Sequence, residues 1–346
     1  MRIVFSFLLV VSGIIVQAQN SRSLLYLNKP LSSESINDVE AKTSGGGIEV
    51  MGVNPSEARI EVYINGNDRH DSYTKEEVQK ILDKDYDFSV TVSGNKLTAI
   101  ARQKRGFSNN NWSNSISISY KIYVPAACAT HLNTSGGGIS ISNLNGEQHF
   151  STSGGGLDVS KITGRIVGNT SGGGINVKDS KDDIDLETSG GGIDAERCSG
   201  EIKLNTSGGS IELHDLSGNI HASTSGGNVD AEKVTGELIT HTSGGNMSVS
   251  GMSGSLEAST SGGNIDVEIS EIGKFVKLSN SGGSVHLEIP KGKGLDLDIH
   301  GDRIKTEGLN NFSGSLEKES ITGTINGGGM PVDVHAGSGG VTLAIK

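Results

Sequence analysis

The stretches "NTSGGGISIS" (residues 133–142), "STSGGGLDVS" (151–160) and "NTSGGGINVK" (169–178) repeat one phrase at a fixed interval. Thr followed by Ser-Gly-Gly stands at Thr134, Thr152, Thr170, Thr188, Thr206, Thr224, Thr242 and Thr260, a constant 18-residue spacing. A degenerate copy, Asn280-Ser281-Gly282-Gly283, follows after a slightly longer gap, and isolated copies stand at Thr43 and around Ser338. A fixed short period is the mark of a repeat architecture, so the repeat is read column by column.

With Thr as position 1, position 6 holds Ile139, Leu157, Ile175, Ile193, Ile211, Val229, Met247 and Ile265. Position 8 holds Ile141, Val159, Val177, Ala195, Leu213, Ala231, Val249 and Val267. Polar residues separate the two columns, which is the period-2 pattern of a strand with one buried face. Position 15 adds Ile166, Ile184, Ile202, Ile220, Leu238 and Leu256, usually with a Gly two residues earlier. One such unit cannot bury its apolar face alone. Stacked in register, the units share a narrow core, with parallel strands about 4.8 Å apart.

The expected fold class is therefore all-β: a single-stranded parallel β-helix, or β-solenoid, of 18-residue coils, with right-handed winding preferred. A three-sided hexapeptide helix also suits a unit of this length, but the apolar alternation appears twice per unit rather than three times. The Gly-rich corner is expected to need unusual φ/ψ, and the neighbouring Thr and Ser hydroxyls to stack in ladders.

Outside the regular units the pattern loosens. Met1, Arg2, the apolar run 3–16 and Val16-Gln17-Ala18 predict a secretory signal peptide over 1–18. Residues 19–133 read as an N-terminal cap of irregular coils with a short helix near 75–83, where Thr74 and Glu77 make a capping box. A hairpin is expected around Gly94-Asn95, and "SISISYKIYV" from Ser115 alternates as a strand. Residues 134–289 hold the regular repeats and 290–346 irregular coils and a C-terminal cap. With no linker between them, 19–346 read as one elongated domain.

These Gly-rich units, "ISYKIYVP" (118–125) leading into the first of them, and the closing "GTINGGG…VDVHAGSGGVTLAI" resemble a bacterial family of adhesin-like proteins. That family has Gly-rich β-strand repeats and no characterised function. The resemblance implies an exported β-solenoid and carries over no catalytic residue.

Composition narrows the function further. Loss of Arg2 with the signal leaves 28 basic against 40 acidic residues, a net charge of −12 that repels nucleic acid and anionic membranes. Aromatics at 4% argue against an outer-membrane barrel with aromatic girdles. The Gly-rich turn lacks the Lys-Ser/Thr of a phosphate loop and the Asp of a calcium nonapeptide. Position 7 offers weak metal candidates, Asp158, Asp194, Glu212, Asp230 and Asp266, whose bland reading is a solvated acidic face.

Polysaccharide-active β-helix enzymes need carboxylates in a loop-walled groove, and the middle units have almost no insertions. His149, His214, His221 and His241 read as scattered over different columns. An ice-binding reading has a real Thr column, but its partner two residues on is Gly.

What remains is a non-catalytic adhesin or cell-envelope scaffold with no cofactor, located at the cell surface, in the periplasm or outside the cell. Its partner is unknown; carbohydrate and cell-surface protein are the candidates, and no integral membrane segment is expected after signal cleavage. Phe107 and Trp112, in "RGFSNNNWSN", are the speculative contact residues. Cys128 lies about four coils from Cys198, too far to pair, so two unpaired thiols are expected.

Overall fold

A computed structural model describes residues 23–66, 73–104 and 116–346. The expected signal peptide and the contact candidates Phe107 and Trp112 lie outside the described residues.

In the regular region each unit supplies two strands. A four-residue strand follows the Gly-rich turn, and an eight-residue strand ends on the next Thr, as in Ile193–Glu196 and Ser199–Thr206. Both pair in parallel with their counterparts in the next unit, Ile193 opposite Ile211 and Ile202 opposite Ile220. Two parallel ladders result. They share the long strands Met247–Thr260 and Ile265–Asn280, which carry both segments of a unit. The fold is all-β, with a long and mostly parallel sheet and one α-helix among the described residues.

Alternation sends positions 6, 8 and 15 inward as the sequence implies. It also buries position 11, from Leu144 and Ile162 through Cys198 to Met252, and position 17, with Phe150, Leu186 and Leu204. Burying one Leu or Ile side chain stabilises by about 1.5–3 kcal/mol, and the stack repeats that gain in every unit.

The copies that look isolated in sequence are not isolated in space. Asp38–Thr43 lies between Ala129–Thr134 and Lys96–Gln103, with Thr43 opposite Thr134. Ile48–Val53 likewise lies between Ile139–Ser142 and Ile116–Pro125. The chain therefore lays down one unit, departs after Val53, and returns to stack its first regular unit on that earlier one. At the other end Met330–Ala336 pairs with 276–280 and Gly340–Ile345 with Val285–Ile289, which seats the Ser338 turn on the Ser281 turn.

Antiparallel strands flank the stack. Arg59–Gly66 and Leu24–Pro30 extend one ladder, and Tyr86–Ser93 extends the other as half of the expected hairpin. Ser320–Ile325 and Phe312–Leu316 do so near the C-terminus. The helix runs Lys75–Asp85, slightly beyond expectation, with its capping box formed and Val78 and Leu82 buried.

The Thr column corrects the expected hydroxyl ladder. Each Thr is buried, from 0% exposed at Thr242 to 6% at Thr206. Its hydroxyl donates to a Gly carbonyl of the preceding unit, as Thr206 Oγ1 does to Gly191 O at 2.7 Å. From Thr152 to Thr260 it also accepts from the N–H of the second Gly of its own turn, as Thr206 does from Gly209 N at 3.3 Å. Asn280 does both with its amide, donating to Gly263 O at 2.7 Å and accepting from Gly283 N at 3.0 Å. Thr stands here because the inward side of the turn needs one small buried group that both donates and accepts.

The expected reason for the Gly column also changes. No Gly of the Thr-Ser-Gly-Gly turns has a positive φ; the repeated positive φ belongs to the opposite corner, at Gly164, Gly200, Gly218 and Gly236. What the turn demands is space, since a Cβ on Gly209 would lie 2.1 Å from Gly191 O.

Position 10 carries the left-handed residues, among them Lys161 at φ 55° and Lys233 at φ 56°. A side chain there costs about 1–2 kcal/mol, partly offset by the chain entropy that Gly loses on folding. Lys161→Gly is therefore expected to stabilise by about 0.5–1 kcal/mol in urea unfolding; a lower midpoint would contradict this.

Candidate binding face

Along each eight-residue strand, positions 15 and 17 and the closing Thr are buried, so positions 14, 16 and 18 point outward. In-register pairing aligns them as three columns on one face. At its centre is a shallow groove of 500 Å³. Lys203 stands in it between Asp185 and His221, which are its neighbours in the two adjacent strands. Its ammonium lies 3.8 Å from Asp185 Oδ2. Asp183 and Glu201 line one side, Asn205 and His241 the other, and Ile239 adds an apolar surface.

The groove thus places carboxylates, an ammonium, an amide and imidazoles at strand spacing. It offers hydrogen-bond donors and acceptors beside one apolar patch, the chemistry of a sugar-ring or peptide contact.

The histidines are less scattered than the sequence suggests. His149 and His221 share position 16, and His241 lies on the same face at position 18. Six of the eight described histidines, His131, His149, His221, His241, His300 and His335, point outward from this ladder. Near the N-terminal end, Glu40 is opposite His131. Hydrogen bonds from the Lys42 and Lys96 ammonium groups hold its carboxyl down to about 2.

The acidic column at position 7 lies on the outward side of the other ladder. Asp194, Glu212 and Asp230 occupy successive strands. Asp158 instead faces Asn176, which donates to its Oδ1 at 3.0 Å, and Ser248 separates Asp230 from Asp266. Three of the five candidates are therefore consecutive neighbours. Among the described residues, no three His, Cys, Asp or Glu side chains are placed so that they could hold a metal ion.

The corner between the ladders alternates in charge. Lys161, Asp179, Arg197, Asp215 and Lys233 follow one another at position 10. Arg197 grips Asp179 with two bonds, at 2.7 and 3.2 Å, which lowers the carboxyl pKa and raises that of the guanidinium. Hydropathy periodicity does not disclose this feature, because it sorts residues by polarity and is blind to sign.

Both cysteines are free and buried. Burial pushes the Cys198 thiol up to about 11 and the Cys128 thiol up to about 12, so neither supplies thiolate at neutral pH. A thiol reagent is expected to label neither in the native chain and both after denaturation. Rapid native labelling, or no labelling in denaturant, would contradict the buried, unpaired assignment.

No family model matches the chain, and no curated protein is significantly similar to it. Solved structures with some likeness include a provisionally named cell adhesion protein from Clostridium sporogenes. It has 13% identity and a TM-score of 0.20, with 94% of this chain and 99% of that chain covered. A provisionally named lipid binding protein from Parabacteroides distasonis has 12% identity and a TM-score of 0.26, covering 94% and 98%. A provisionally named adhesin from Bacteroides fragilis has 9% identity and a TM-score of 0.24, covering 94% and 97%. At these scores the likenesses carry no argument about this chain.

Proposed function

We propose that the chain is an exported, non-catalytic β-solenoid of 18-residue coils that binds a glycan along the outward face of its eight-residue strands. It would serve as an adhesin or cell-envelope scaffold. The groove around Lys203 supports this reading. Its polar groups recur at strand spacing beside Ile239, and side chains alone form it, because the strands run from turn to turn without an inserted loop. An open, shallow face of this kind suits an extended polymer better than a small substrate that must be enclosed. The ice-binding alternative loses its surface, because the Thr column is buried.

A glycan array tests the reading, followed by Lys203→Ala and Asn205→Ala in binding assays. Each substitution is expected to weaken binding about tenfold, the loss of one hydrogen bond to a charged group or two neutral ones. Undiminished binding would remove the groove from the account. Capture of a protein, sensitive to the same substitutions, would instead make the partner a protein.

One observation favours a polysaccharide-active enzyme: Asp183, Asp185 and Glu201 cluster near Lys203. A reducing-end assay after incubation with a glycan panel decides between the two, and any product revives the enzyme. Among the described residues no helix is long and apolar enough to cross a membrane. Protease shaving of intact cells separates a surface adhesin from a periplasmic scaffold.

A further inference from the structure

Two strands near the C-terminal end of the wider ladder carry the same short phrase. Leu295–His300 ends in Asp298-Ile299-His300, and Met330–Ala336 contains Asp333-Val334-His335. The strands are parallel and in register, so Asp298 lies opposite Asp333 and His300 opposite His335. Ile299 and Val334 are buried, which turns the other four side chains outward onto one face. Among the described residues Asp-x-His occurs only in these two places. The two imidazole centroids are 6.3 Å apart, and His300 Nε2 lies 2.9 Å from Asp298 Oδ1.

The charges here are unbalanced. Like charges directly opposite on paired strands repel. Lys277 is opposite Asp333 on the far side, but its ammonium lies by Glu257 at 3.2 Å. On the other flank, Asp298 and His300 face the uncharged Thr322 and Ser320. Among the described residues Asp333 has no ion pair, and the one made by Asp298 is with His300.

Two imidazoles and a carboxylate, here His300, His335 and Asp333, are a donor set for zinc and related first-row divalent ions. A carboxylate bonded to one ring nitrogen, as Asp298 is to His300, fixes the ring and leaves its other nitrogen for a metal. Strands about 4.8 Å apart bring two opposed rings within reach of one ion at metal–nitrogen distances of about 2.0–2.1 Å. As the side chains stand they form no group able to hold a metal, so binding one requires rotation of these exposed side chains, which lie outside the core.

We propose that His300, His335 and Asp333 bind one zinc-class divalent ion that clips the two strands together, with Asp298 holding the His300 ring. The other opposed pair, His131 and His149, stacks at 5.4 Å with Glu147 as the carboxylate bonded to it, and is the poorer donor set. This inference is independent of the glycan reading.

Calorimetric titration of the chain with Zn²⁺ tests it. One ion per chain is expected, with at least about tenfold weaker binding in His300→Ala and in His335→Ala. His131→Ala should leave binding unchanged. Absence of Zn²⁺ binding would overturn the proposal, as would unchanged binding in the His300→Ala/His335→Ala double variant. Should a variant fail to fold, Co²⁺ added to the unaltered chain provides the second test: a tetrahedral visible absorption supports the site, and its absence contradicts it.

Discussion

Gly209→Ala is expected to destabilise the chain by more than about 3 kcal/mol, while Gly208→Ala is expected to cost less than about 1 kcal/mol. The two glycines are neighbours in one turn, and neither has a positive φ. Their surroundings differ. A Cβ on Gly209 would lie 2.1 Å from Gly191 O, 2.3 Å from its carbonyl carbon and 2.4 Å from Gly192 N. All three are backbone atoms, held by a ladder that repeats the same spacing on both sides, so no flexible side chain can move away. A Cβ on Gly208 would meet Gly190 O at 3.4 Å and Ser189 O at 3.5 Å, near ordinary contact. Urea unfolding of the two variants measures the difference. Equal effects would mean that conformational freedom, not close approach, explains the column.

Thr188→Val is the second large effect, an expected loss of about 2–4 kcal/mol. The side chain is 1% exposed. Its hydroxyl donates to Gly173 O at 2.7 Å and accepts from Gly191 N at 3.3 Å. Val keeps the shape and removes the one side-chain group that pairs both of these partly buried backbone groups. The same substitution at Thr240 is expected to have the opposite sign. That hydroxyl is also buried but has no partner, so Thr240→Val should stabilise by about 1 kcal/mol. Thermal melts of both variants check the pair, and a shared sign would contradict the assigned role of the Thr column.

These residues show what a sequence can and cannot disclose. The columns at positions 6, 8 and 15 were legible because burial of every second residue leaves a direct trace in polarity. Position 11 was less visible, since Ser180 and Cys198 interrupt an otherwise aliphatic column that the structure buries throughout. The reason for Gly was not legible, because a missing side chain looks the same whether the backbone turns left-handed, as at Gly200, or is crowded, as at Gly209. The placement of Thr43 was hidden by the long stretch between Val53 and Ala129, which includes the strands on the far side of that unit before the first regular unit stacks on its near side. The groove around Lys203 left no periodic trace, since outward positions do not repeat their identity. It emerges only when the strands of successive units are laid side by side.

The central claim is that successive 18-residue units stack in register at one strand spacing. It is tested most directly by spin-label distances in a chain whose Cys128 and Cys198 are replaced by Ala. Ser151, Ser223 and Ser259 all occupy position 18, four and six units apart when measured from Ser151. Labels at Cys residues introduced at 151 and 223 are expected about 19 Å apart, and those at 151 and 259 about 29 Å apart. A second distance that fails to exceed the first by roughly two strand spacings would contradict the stack.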